Sequence, residues 1–147
     1  MTQSKLSKKR LTIATVEDSL DYSEILSDSI QKTVPDSNVA SFNSGDEFLA
    51  AVEQGICTPD VVFLDLSLPS MSGHDVLVKF RQGRARCAPV FVVTSSSLPE
   101  DIAQAYLESC ALYFLKPAEP DDLIEVLQDL FRVLQSKYTI LIQEGKW

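Results

Sequence analysis

The chain has 147 residues, 45% of them hydrophobic and 23% charged, with a formal net charge of -8. That length suits one domain around a single core, and that composition excludes a disordered chain. The negative charge argues against a nucleic-acid surface, which rests on Lys and Arg, and no apolar run is long enough to span a bilayer.

Apolar runs alternate with segments of helical period, as in a parallel sheet covered by helices on both faces. The basic start MTQSKLSKKR lacks the apolar stretch and cleavage site of a secretory signal, so a cytoplasmic protein is expected. LTIATV (11–16) is the first strand, after which Tyr22, Ile25, Leu26 and Ile30 recur at helical spacing up to the break at Pro35. NVASF (38–42) is a second strand, and SGDE (44–47) is a capping box opening a helix that carries Phe48, Leu49 and Val52 and ends near Gly55. VVFL (61–64) is the third strand, followed by the loop LSLPSMSG and a helix marked by Val76, Leu77 and Phe80, with His74 at its opening and no chemistry assigned to it. VFVVT (90–94) is the fourth strand, and Ser97 with Glu100 reads as a second capping box before Ile102, Ala105 and Tyr106. LYFL (112–115) is the fifth strand, and Pro120 opens a last helix with apolar positions 123, 124, 127, 130, 131 and 134. Cys57, Cys87 and Cys110 form no CxxC pair and are expected to be reduced thiols in core or loops.

In open sheets of this kind, ligands gather outside the carboxyl ends of the strands. Those ends carry Glu17 and Asp18 after the first strand, Asp65 after the third, Thr94 and Ser95 at the fourth, and Lys116 with Pro117 after the fifth. Three carboxylates brought together repel one another unless a cation lies among them, and magnesium, which takes one or two protein carboxylates and keeps room for phosphate oxygens, suits Glu17, Asp18 and Asp65. An ionised aspartate can also accept a phosphoryl group. Lys116 and the Thr94 hydroxyl, with the metal, can each meet one oxygen of that group in the transition state.

Four separated stretches, VEDS (16–19), PDVVFLDLSLPSMSG (59–73), VFVVTSSS (90–97) and YFLKP (113–117), resemble the response-regulator receiver domains of two-component signalling, the CheY-like family. The resemblance implies a flavodoxin-like fold, a doubly wound five-stranded parallel sheet in the order 2-1-3-4-5. It implies that Asp65 is the phosphorylated residue and that Glu17, Asp18, Asp65 and the Ser67 main-chain carbonyl hold Mg2+. It further implies that Thr94 and Tyr113 are the switch pair, that Lys116 meets the phosphoryl group and that the bond before Pro117 is cis. The partners it implies are a histidine kinase or histidine phosphotransfer protein and a downstream protein target, with the chain a phosphoacceptor rather than an enzyme. On this reading 1–9 is a flexible flank, 10–134 the receiver domain and 135–147 a tail or helix extension, in a single-domain regulator resembling those of phytochromes. Glu17 replaces the family's commoner Asp, and SCAL (109–112) stands where a Gly-Ala pair is common, which leaves the turn geometry there open. Leu127, Phe131, Leu134, Tyr138 and Leu141 keep a 4-3-4-3 spacing that suggests a homodimer through the last helix and tail, although YTILI could also form a strand.

Three other functions fit these residues less well. A haloacid-dehalogenase-like phosphatase needs a second acid two residues after its nucleophile, where this chain has Ser67. A flavodoxin-like flavin carrier would bring phosphate to the loop after the first strand, where Glu17 and Asp18 repel it. A receiver-like scaffold without phosphorylation has no need of the retained acids, hydroxyl and lysine.

Overall fold

The computed structural model describes residues 10–144, with side chains described as far as Leu134. The elements are β1 (Thr12–Val16), α1 (Leu20–Thr33), β2 (Asn38–Phe42), α2 (Gly45–Glu53), β3 (Val61–Leu64), α3 (Gly73–Arg81), β4 (Val90–Thr94), α4 (Pro99–Leu107), β5 (Leu112–Leu115) and α5 (Pro120–Glu144). The five strands are all parallel and lie in the order β2-β1-β3-β4-β5, as expected.

The central strands β3 and β4 are buried at every position, which is why their sequences are unbroken apolar runs rather than alternating ones. Ala14, Val16, Val62, Leu64, Val90 and Val92 face α2 and α3, where Phe48 and Phe80 stack with centroids 5.4 Å apart. The opposite pleat, Ile13, Val61, Phe63, Phe91 and Val93, meets Leu26 and Ile30 of α1 and Leu123, Leu127 and Phe131 of α5. Each fully buried Phe or Leu contributes on the order of 2 kcal/mol, so both layers are needed.

Local signals set most helix starts. The Ser44 side chain accepts from the Glu47 amide at 3.2 Å, and Gly55 leaves α2 with φ of +75°. The expected cap on Ser97 does not form. α4 begins at Pro99, whose fixed φ and missing N–H suit the first helical position, and the N-cap is Leu98 with no side-chain bond. The Ser96 hydroxyl accepts the Leu98 amide instead, at 3.3 Å.

The turn before β5 departs from a Gly-Ala pair and keeps its geometry by strain. Ser109 lies in the left-handed region at φ of +72°, and its carbonyl accepts from Arg81 Nη2 at 2.7 Å. Arg81 Nη1 also donates to the Ala88 carbonyl at 2.6 Å, so one guanidinium ties α3 to two turns. Along α5, Leu127 and Phe131 are buried in the chain's own core and Leu134 packs against it. Leu127 and Phe131 are thus taken up by this core, and the Tyr138 and Leu141 side chains of the expected seam lie outside those described.

Candidate functional site

The sheet register builds the site. Val16 pairs with Leu64 and Leu64 with Val92, so the residues that follow β1 and β3 emerge side by side at the carboxyl end of the sheet. The ladder extends one step beyond the strands. The Asp65 amide donates to Val16 at 3.1 Å and the Lys116 amide to Thr94 at 2.8 Å, which fixes both backbones where their side chains leave the sheet.

Glu17, Asp18 and Asp65 each place a carboxylate oxygen within 4.8 Å of the others. Glu17 and Asp65 are 2% and 4% exposed, so neither charge is relieved by bulk water, whereas Asp18 stands at the open side. Lys116 Nζ reaches in from β5, 2.7 Å from Glu17 Oε1 and 3.0 Å from Asp65 Oδ2. The remaining oxygens take backbone donors: Glu17 Oε2 accepts from the Ser19 amide at 3.0 Å and Asp65 Oδ1 from the Ser67 amide at 3.2 Å.

Burial pushes the Glu17 carboxyl above its ordinary value, and the neighbouring Asp65 charge adds to this against the Lys116 hydrogen bond. Burial is also the largest single influence on Lys116 and acts against its charge. Its hydrogen bonds to Glu17 and Asp65, with the charges behind them, together outweigh burial and hold the ammonium above its ordinary value. One ammonium against three carboxylates leaves an excess of negative charge and of oxygen acceptors, the donor set that a hard divalent cation fits.

The Lys116–Pro117 bond is trans, contrary to expectation, since the described residues contain no cis peptide. The long lysine side chain reaches both acids from that backbone, so aiming the ammonium does not require the sharper turn. An aromatic that helical spacing assigns only to the core completes the setting. Tyr22, in the first turn of α1, lies under the ammonium with Lys116 Nζ 4.6 Å from its ring centroid. Its buried hydroxyl has no hydrogen-bond partner among the described residues, and burial raises that group to about 12. Helical periodicity marks Tyr22 as core, and nothing in the sequence distinguishes core from a platform for Lys116.

Gly73 fixes the loop after Asp65. A Cβ there would lie 2.3 Å from the Asp65 carbonyl oxygen and 2.5 Å from Leu66 Cα, so only glycine lets α3 start against the Asp65 backbone. The Gly73 amide donates to Leu66 at 2.9 Å, closing the loop.

Thr94 and Tyr113 belong to the next layer outward. Thr94 is fully buried at the end of β4, and its hydroxyl oxygen faces the Ser96 amide at 3.4 Å. Tyr113 is half-buried on β5 and donates its hydroxyl to the Ser96 carbonyl at 2.8 Å. Both therefore touch the loop between β4 and α4.

Comparison with known proteins agrees with this arrangement. The chain is 35% identical over 77 residues to the probable methanogenesis regulatory protein FilR2 of Methanothrix harundinacea, a match covering 52% of this chain and 50% of that protein. It spans about half or less of the length of the first curated relatives that it matches. Its fold is that of the phosphorylated cyanobacterial phytochrome response regulator RcpA, with a TM-score of 0.75 at 22% identity over 83% of this chain and 91% of that one. The Mn2+-bound form of response regulator Rcp1 superposes with a TM-score of 0.70 at 25% identity, over 82% and 91% of the two chains. The family model of the response regulator receiver domain matches residues 13–128, and the chain belongs to that family.

Proposed function

We propose that Asp65 accepts a phosphoryl group from the phosphohistidine of a histidine kinase or histidine phosphotransfer protein, and that the phosphorylated chain signals in the cytoplasm by binding a downstream protein. The observation that carries this reading is the convergence of Lys116 Nζ, at 3.0 Å, and two further acids on a 4% exposed aspartate at the carboxyl end of the central strand. Glu17, Asp18, Asp65 and the Ser67 carbonyl would hold Mg2+, which when bound supplies positive charge beside the transferring oxygens. The Mn2+-bound state of Rcp1 supports a divalent ion at this site.

In the transfer, an Asp65 carboxylate oxygen forms the new P–O bond while the donor's N–P bond breaks. The bonding pair leaves on the donor imidazole nitrogen, which carries it away as a neutral ring once protonated. Lys116 turns one N–H from Asp65 toward a phosphoryl oxygen, and the Thr94 hydroxyl donates to another. Drawing Thr94 inward moves the loop carrying Ser96, and the Tyr113 hydroxyl, tied to the Ser96 carbonyl, follows. The chain is on this account a phosphoacceptor and not a turnover enzyme.

Incubation with acetyl phosphate and Mg2+ tests the reading. The intact mass should rise by one phosphoryl group, show no rise when EDTA is present from the start, and show none in Asp65→Asn. Equal labelling of Asp65→Asn would overturn it.

A further inference from the structure

His74 lies outside the acidic site, in the first turn of α3, and both of its ring nitrogens face carboxylates of another helix. Nδ1 is 2.9 Å from Glu108 Oε2 and Nε2 is 3.2 Å from Asp101 Oδ1. The ring is about one-fifth exposed, Glu108 nearly buried at 7% and Asp101 more open at 31%. Carboxylates accept hydrogen bonds and do not donate them, so two donors are needed here, and only the imidazolium has two. A neutral ring would leave a nitrogen lone pair against a carboxylate oxygen.

The two acids are held differently. Glu108 caps the end of α4 and accepts from Gln104 Nε2 at 2.8 Å. Asp101 accepts the hydroxyl of Ser96, in the loop after β4. The Ser96 carbonyl in turn accepts the Tyr113 hydroxyl at 2.8 Å. A chain of polar contacts thus runs from α3 through α4 and the loop to β5.

We propose that protonated His74 is a clasp between α3 and α4, gripping Glu108 and Asp101 together and so setting the position of the Ser96 loop, and that the neutral ring releases Asp101. The choice of Asp101 follows from solvation. With one N–H left, the ring keeps it on Nδ1 toward Glu108, which is nearly buried and would be costly to strand. Asp101 is open enough for water to replace the ring.

The charged groups acting on His74 are Asp101 and Glu108 of α4, while Asp75, its neighbour on α3, is exposed. Burial alone would depress the imidazole. The hydrogen bonds and charges of Glu108 and Asp101 together outweigh it and raise the group above its ordinary 6.5. The clasp is therefore closed at mildly acidic pH and opens as pH rises through the raised value. The clasp lies outside the phosphoacceptor chemistry and does not need it.

The chain has a single histidine, so its ring signals are unambiguous. Long-range 1H–15N spectra of the 15N-labelled full chain, recorded from pH 5 to 9, should show the ring titrating above 6.5 and leaving the proton on Nδ1. Amide signals of Ser95 to Leu98 should move with the same midpoint. In Asp101→Asn that midpoint should fall and the loop amides should no longer follow it. A ring midpoint at or below 6.5, a neutral form protonated on Nε2, or loop amides flat across the ring's titration would each overturn the clasp. The unmutated titration decides the matter even if a variant folds poorly, and it does so whether or not Asp65 is phosphorylated.

Discussion

Tyr22 combines two features of opposite sign, a ring that supports the Lys116 ammonium at 4.6 Å and a buried hydroxyl without a partner among the described residues. An unsatisfied buried hydroxyl costs about 1–3 kcal/mol, whereas a partly desolvated cation–π contact contributes about 1 kcal/mol. Tyr22→Phe should therefore gain about 1 kcal/mol in urea unfolding, and Tyr22→Leu should lose about that much relative to Phe. Ser109 is a second strained residue, since φ of +72° suits glycine. Ser109→Gly should gain about 0.5–1 kcal/mol, the relief of the left-handed conformation less the extra unfolded-state entropy of glycine. The sequence announces the acids and the lysine because each interrupts or ends an apolar run where its charge needs a reason. It does not announce Tyr22 or the pairing of His74. An aromatic at helical spacing and a polar residue at a helix start are both consistent with ordinary packing, and their partners are far off in sequence.

At the scale of elements, strands were the most legible because β3 and β4 are buried on both faces and read as unbroken apolar runs. Helix starts were legible where one side chain could do the capping, as at Ser44, and misread where backbone stiffness decided, as at Pro99. The bond before Pro117 is trans where the family resemblance implies cis, a feature that no local pattern of the sequence signals. The entry of α3 carries the sharpest steric test. Gly73→Ala would place a methyl 2.3 Å from the Asp65 carbonyl oxygen and should cost about 1–3 kcal/mol while reducing acetyl phosphate labelling. Gly83→Ala, whose added methyl would meet nothing closer than 3.5 Å, should leave both nearly unchanged.

Across the whole molecule, the two helical layers are joined by the sheet, and α3, α4 and the Ser96 loop are joined by His74. Its raised folded-state value means that the clasp stabilises fully below about 6.5 and that this contribution is lost as pH rises through the raised value. Asp101 is held below its ordinary value, first by the Ser96 hydroxyl and then by His74, and its contribution is lost only at much lower pH. The urea midpoint should accordingly fall as pH rises above 6.5, and His74→Gln should flatten that slope. Everything proposed for signalling, however, depends on one bond to one carboxylate. After treatment with acetyl phosphate and Mg2+, borohydride reduction converts an aspartyl phosphate to homoserine, which peptide mass mapping can locate. The account expects homoserine at position 65 and the other aspartates unchanged. Homoserine at Asp18 or elsewhere with Asp65 intact, or no reduction product in a chain carrying the phosphoryl mass, would contradict it.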